Sequence, residues 1–242
     1  MNGAPEIVAG SPLGLIRDLF CWGRLGRYIW LSRRIPGWAR GAGVIELAMV
    51  SGRLEPSPVI VEIGSFLGGT AVLLAGARKL KRSGRVHCVD PFEPVGDAFS
   101  VPIYQKIADS LGMSIRQRFE KNIRSAGLQD WVTIHQMTSV EAARQWQDPI
   151  DLVYLDGDQT PEGAREAYLN WSAFLRPGAI LAIGASADGP NEPGHDGQMR
   201  IIREFLHPPE YEDVHCLEGV TFARKMAGRA VVRKDDSLTE TT

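Results

Sequence analysis

The chain has 242 residues, 44% of them apolar and 23% charged, with 27 basic against 29 acidic side chains and a formal net charge of −2. That is the make-up of one ordinary globular domain, and so balanced a charge exerts no general pull on polyanions, which disfavours a nucleic-acid backbone binder. The average conceals an asymmetry: residues 1–40 carry six Arg against two acids, and the remaining 202 carry 21 basic against 27 acidic residues.

Taken from the N-terminus, the first forty residues form a basic, aromatic arm. Arg17, Arg24, Arg27, Arg33 and Arg34 interleave with Leu13, Ile16, Leu19, Phe20, Trp22, Tyr28, Ile29, Trp30 and Leu31, a pattern that fits an amphipathic helix. The charges break every long apolar run, so neither a signal-peptide core nor a span of roughly 20 apolar residues reads there. A dimer contact, making a homo-oligomer, or a substrate lid is the first role for this arm. Peripheral contact with an anionic membrane surface is the second. Cys21, Cys88 and Cys216 are scattered without a CxxC pair, which argues against a zinc site or a disulfide framework and fits a cytoplasmic setting.

Beyond the arm, residues 41–226 read as one domain in which short β-branched runs alternate with longer helical patterns, the mark of βα units around a mostly parallel sheet. Strands are predicted at Val59–Ile63, Arg85–Val89, Val132–Gln136, Leu152–Leu155, Ala179–Ile183 and Val220–Arg224, with a weaker one at Glu212–Cys216. Most are continuously apolar, as strands covered on both faces are. Helices are predicted at Ala42–Ser51, Gly69–Leu80, about Ile103–Ala126, Val140–Gln147, Glu162–Leu175 and Gln198–Leu206, with Arg176-Pro177-Gly178 ending the fifth. The last two strands lie too close for a crossover helix and form an antiparallel hairpin. Residues 227–242 are polar and aperiodic and read as a frayed tail.

The segment Val61-Glu62-Ile63-Gly64-Ser65-Phe66-Leu67-Gly68-Gly69-Thr70 runs from a strand into a helix. Glycine there lets the backbone approach a ligand, and the open N–H groups of the helix attract polar or anionic groups; a tight βα turn is the plainer alternative. The spacing is neither GxGxxG nor a P-loop, which weakens nicotinamide-dependent oxidoreductase and nucleotide-hydrolysis readings. Asp90 closes the second strand 26 residues after Gly64, where an acid reaches ribose hydroxyls. Thr138 and Ser139 follow the third strand, placed for an adenine edge or for a helix cap.

These residues together carry a resemblance. EIGSFLGGT, VDPF, NIRSAGLQDWVTIHQMTSVEAA, DLVYLDGD and LRPGAILAIG, in that order, resemble the class I S-adenosylmethionine-dependent methyltransferases. Within them the chain is most similar to the small-molecule and sugar O-methyltransferase branch that includes macrocin O-methyltransferase-like enzymes, down to IPGW at 35–38. The resemblance implies an α/β fold with a Rossmann-like seven-stranded sheet, helices on both faces and a C-terminal antiparallel hairpin. It also implies S-adenosylmethionine as cofactor and a small-molecule acceptor. By the same resemblance Glu62, Gly64, Ser65, Gly68 and Thr70 hold the methionine end and ribose, Asp90 takes the ribose hydroxyls, and Pro91 and Phe92 border the adenine. Ser139 approaches the adenine's polar edge, and Asp156 faces the methyl-transfer cleft.

Two positions depart from the metal-assisted members of that branch, which resemble one another in DGDH after the fourth strand and a further acid after the fifth. Here Gln159 follows Asp156-Gly157-Asp158, and Gly184-Ala185 stands where the second acid is expected. A glutamine cannot take a proton at neutral pH. The reading is therefore a methyltransferase without a metal, with His195 as base and Asp196 or Asp158 orienting it, in a loop that also offers Asp188 and Glu192. The alternatives are a solvated surface histidine, and a catalytically degenerate methyltransferase-fold protein that binds cofactor or a partner. His87, His135, His207 and His215 lie in strands or far along the last helix and hairpin, and read as structural.

Overall fold

The computed structural model of the chain describes residues 11–38, 40–96, 98, 100–185 and 194–227. Seven strands, β1 (Val59–Ile63), β2 (Arg85–Val89), β3 (Val132–His135), β4 (Ile150–Leu155), β5 (Leu175–Ile183), β6 (Tyr211–Leu217) and β7 (Val220–Lys225), make one sheet in the order β3-β2-β1-β4-β5-β7-β6. The first five pair in parallel, and β7 runs antiparallel to both β5 and β6, so the predicted hairpin closes the sheet. This is a Rossmann-like α/β sheet with a C-terminal antiparallel hairpin. Its strand order reverses between β1 and β4, and ligands bind outside the carboxyl ends of strands at such a switch point.

The continuous apolar runs divide by alternation. Ile60, Leu152 and Tyr154 face one side, where they pack with Leu47 of α3 (Ala42–Arg53), Leu74 of α4 (Gly69–Lys81) and Phe119 of α6 (Ile115–Ser125). Val61, Ile63, Val153 and Leu155 face the other, against α7 (Ser139–Gln145), Trp171 of α8 (Pro161–Ser172) and Ile201 of α9 (Gly197–Phe205). Both faces are covered, as a parallel sheet requires.

Three expectations change. The single helix over 103–126 is two, α5 (Ser100–Ser110) and α6, because Gly112 adopts φ +63° and Ser114 starts a new helix with a full capping box to Gln117. The fifth predicted helix stops at Ser172, and Leu175–Gly178 belongs to β5. There the backbone of Leu175 pairs with Ile150, and sheet pairing outweighs the breaker character of Pro177-Gly178. The arm is α1 (Pro12–Trp22), a 3-10 turn and α2 (Gly26–Arg33) rather than one helix. A Cβ on Gly26 would sit 2.0 Å from the Asp18 carbonyl oxygen, so the two helices cross where only glycine fits. Among the described residues no helix is long and apolar enough to cross a membrane. The tail from residue 228, and Asp188 and Glu192, lie outside the described residues.

Candidate active site

The glycine loop lies where β1 meets β4. A Cβ on Gly64, which has φ +86°, would fall 2.5 Å from the Asp156 carbonyl oxygen, so this close approach requires glycine. Beneath the loop, Glu62 is fully buried and its Oε2 accepts from Ser65 Oγ at 2.6 Å and Cys88 Sγ at 3.4 Å. Burial pushes its carboxyl up to about 8, against the pull of those two donors. Asp90, at the end of β2, holds the loop from the side: Oδ2 accepts the Phe66 N–H at 2.8 Å and Oδ1 the Phe92 N–H at 2.6 Å. Burial raises the Asp90 carboxyl while these amide bonds lower it.

Two cavities open at the carboxyl ends of the strands. The first, about 310 Å³, is lined by Gly64, Phe66, Asp90, Pro91, Thr138, Ser139 and Asp158 among others. The second is lined by Ile35, Pro36, Trp38 and Arg40 of the arm, by Gly64, Ser65, Phe66 and Thr70, by Tyr104, Tyr154, Asp156 and Gln159, and by His195. They share Gly64, Phe66 and Tyr104. At that junction Trp38, Phe66 and Tyr104 form a mutually packed trio with ring centroids 4.9–5.6 Å apart. Arg40 braces the arm's turn through the Ser32 and Ile35 carbonyls at 3.1 and 2.7 Å.

Asp156 stands at the tip of β4 in the second cavity, and the Tyr154 hydroxyl donates to its Oδ2 at 2.9 Å. Burial pushes the Asp156 carboxyl up to about 7. A Cβ on Gly184 would meet Asp156 Oδ1 at 2.3 Å and the Tyr154 hydroxyl at 2.6 Å. The space that a side chain after β5 would occupy is therefore filled by the Tyr154–Asp156 pair. Among the described residues no group of three or more His, Cys, Asp or Glu is placed to hold a metal ion.

The remaining predicted site residues divide between wall and support. Asp158 lines the first cavity, not the one that His195 lines, and its Oδ1 accepts the Thr160 N–H at 2.8 Å near the start of α8. Asp196 binds Arg200 at 2.9 Å. His195 is set at the second cavity by the two residues at the start of α9: the Gly197 N–H donates to the Gln159 carbonyl at 3.0 Å and Gln198 Nε2 to the Asp158 carbonyl at 3.3 Å. Ser139 lines the first cavity and accepts Trp171 Nε1 at 2.9 Å, while Thr138 is the cap of α7, in a capping box with Glu141. Glu62, Gly68 and Phe92 line neither cavity. Phe92 is buried against the Phe119 ring at 5.1 Å, and Gly68 precedes α4.

Sequence reasoning missed Tyr154, Tyr104 and Arg40. For Tyr154 a signal existed: it is two residues before Asp156 on a strand, hence on the same face. Tyr104 and Arg40 carried no motif. His87 and His135, read as structural, face each other across β2 and β3 with Nδ1 and Nε2 3.0 Å apart. Burial pushes His87 down to about 4.

A methyltransferase domain profile matches residues 61–184, just over half the chain and the stretch from the glycine loop to the end of β5. The chain belongs to this methyltransferase domain family. Solved structures similar to the methyltransferase include a Klebsiella pneumoniae protein described as a candidate O-methyltransferase, at 19% identity over 91% of this chain and 93% of that one, TM-score 0.56. Another is the O-methyltransferase TomG of Streptomyces achromogenes, involved in tomaymycin synthesis and solved with S-adenosylmethionine, at 17% identity over 91% and 99%, TM-score 0.57. A third is an rRNA methylase of Streptococcus thermophilus, at 11% identity over 78% and 99%, TM-score 0.51. At such identities the likeness speaks for the shared fold, which serves more than one kind of acceptor.

The first cavity suits a nucleoside. Asp90 keeps carboxylate lone pairs beyond those its amide bonds use, and Ser139 lines the same cavity with a polar edge. Helix α4 begins at Gly69 with no side chain capping it, which leaves the α-amino-acid end of a cofactor the anion-attracting end of a helix.

Proposed function

We propose that the protein is an S-adenosylmethionine-dependent O-methyltransferase acting on a hydroxyl of a sugar or secondary-metabolite small molecule, without a resident metal. One observation carries the reading: a carboxyl raised to about 7 stands in a cavity that adjoins, through Gly64 and Phe66, a nucleoside-sized cavity. A base working near neutral pH needs a pKa in that range. The sequence motifs support the macrocin O-methyltransferase-like branch, and TomG offers a structural precedent with S-adenosylmethionine.

When bound, S-adenosylmethionine supplies a methyl already activated by its sulfonium charge. The chain's own task is then to place an acceptor oxygen in line and to receive its proton. Asp156, in place of the His195 expected from the sequence, takes that proton on its carboxylate, with the Tyr154 hydroxyl fixing the carboxylate's orientation. His195, on the wall of the same cavity, orients the acceptor hydroxyl. Trp38, Phe66 and Tyr104 wall the junction and keep water from the transfer line. The arm residues Ile35, Pro36 and Trp38 close the acceptor cavity against large ligands, which favours a small molecule over an RNA acceptor.

Independence from a metal rests on Gly184. A carboxylate side chain there would displace the Tyr154–Asp156 pair. Dialysis against a chelator is expected to leave turnover unchanged.

Calorimetry with S-adenosylmethionine and S-adenosylhomocysteine tests the cofactor. Saturable binding of both is expected, and no heat at millimolar ligand defeats the proposal. Binding without turnover on a panel of hydroxylated metabolites would favour the catalytically degenerate alternative.

A further inference from the structure

Helix α1 is turned opposite to an ordinary surface helix. Its one carboxylate, Asp18, is 2% exposed and meets Arg33 in two 2.7 Å contacts, while Leu13 is 76%, Ile16 62% and Phe20 92% exposed. Those three, at i, i+3 and i+7, lie on one stripe of the helix. The stripe is held firmly to the rest of the molecule, because Tyr28 and Ile29 of α2 are buried in the core beside α4. An apolar stripe facing outward from a fixed platform marks an interaction surface.

The exposed charges of α1, the following turn and α2 bear on what it fits. Arg17, Arg24, Arg27 and Arg34 are exposed, and Asp18, the sole acid between Ser11 and Arg34, is buried. A second copy meeting this face about a two-fold axis would set like charges against each other, with no exposed carboxylate of the segment to receive them. Anionic headgroups above acyl chains complement both features at once: the arginines meet phosphate oxygens and Leu13, Ile16 and Phe20 enter the apolar layer. We propose that α1 is a peripheral anchor that seats the protein on an anionic membrane surface.

The test uses the full chain and vesicles of phosphatidylcholine alone or mixed equally with phosphatidylglycerol. Co-sedimentation is expected with the mixed vesicles, not with the neutral ones, and is expected to fall as salt is raised. Ile16→Ser with Phe20→Ser should lower partitioning about tenfold or more. Arg24→Gln with Arg27→Gln should lower it about twenty-five-fold, from roughly fivefold per arginine near the surface. Thermal melting and calorimetric S-adenosylmethionine binding check that both variants keep the fold. Three results would overturn the proposal: no partitioning into the mixed vesicles, partitioning equal in wild type and variants, or a solution dimer that the Ile16/Phe20 variant converts to monomer.

Discussion

The cavity of Asp90 and Ser139 is walled largely by segments at the ends of β3, β2, β1 and β4, each adjacent in the sheet to the next, with Tyr104, Ile115 and Glu166 from the flanking helices. The cavity of Trp38 and His195 draws in addition on the arm before the sheet and on the segment leading into α9. In the first, sheet register sets the spacing between Gly64 and Asp90, because Ile63 pairs with Val89 just before them. In the second, packing between distant segments does, as in the Trp38–Phe66–Tyr104 trio. A sheet-defined cavity is a property of the fold, and one closed by an arm is particular to the chain.

Substitutions on either side of Gly64 should separate the two functions. The largest effect is expected from Asp156→Asn, which keeps the shape but removes the base: kcat should fall by about two to four orders of magnitude while S-adenosylmethionine affinity changes little. In the wild type, kcat/KM for the acceptor should rise with pH through about 7, as the carboxyl raised by burial gives up its proton. An active Asn variant would transfer the base role to His195, and a flat profile would remove Asp156 from it.

Next in size, Asp90→Ala should weaken S-adenosylmethionine binding about ten- to a hundredfold by calorimetry, from the loss of charge-assisted hydrogen bonds, and leave the acceptor KM near its starting value. Trp38→Ala should do the reverse, raising the acceptor KM about tenfold through the loss of an aromatic wall without moving cofactor affinity. If each variant shifted both constants equally, the two cavities would be acting as one.

The smallest effect concerns Glu62, which supports the loop from below without lining either cavity. Its folded carboxyl, at about 8, lies above the ordinary carboxylate range, so the folded state binds the extra proton and stability falls as pH rises from about 5 to about 8. Asp156 contributes in the same direction up to about 7. Glu62→Gln should therefore flatten, without abolishing, the decline of Tm over that range. Melts that keep the wild-type slope would show that Glu62 is ionised in the folded protein.

The lining of the first cavity was legible because its determinants are local. A strand ending in glycine, an acid at the next strand end and a hydroxyl before a helix each arise from a few consecutive residues, and Gly64, Asp90 and Ser139 all line the first cavity. Phe92 lines neither cavity for a reason of the same kind: a motif gives the position, yet φ +56° at Phe92 accompanies a ring turned into the core against Phe119. The second cavity was legible only in part. Gln159 and Gly184 announced a departure from the metal-assisted pattern, but that the Tyr154–Asp156 pair fills the vacated space is a contact between strands.

For the arm, the sequence by itself determined charge and amphipathicity, since both are sums over residues and their spacing. Which face of α1 points outward was decided by the tertiary structure, where Asp18 pairs with Arg33 fifteen residues on and turns the apolar stripe away from the core. The same division holds throughout the molecule. The individual strands, the glycine loop and the capping boxes are short-range consequences of backbone sterics and hydrogen bonding. The working environment of Asp156, the closure of its cavity by Trp38 and the outward stripe of α1 depend on long-range burial, which exists only once distant segments have packed.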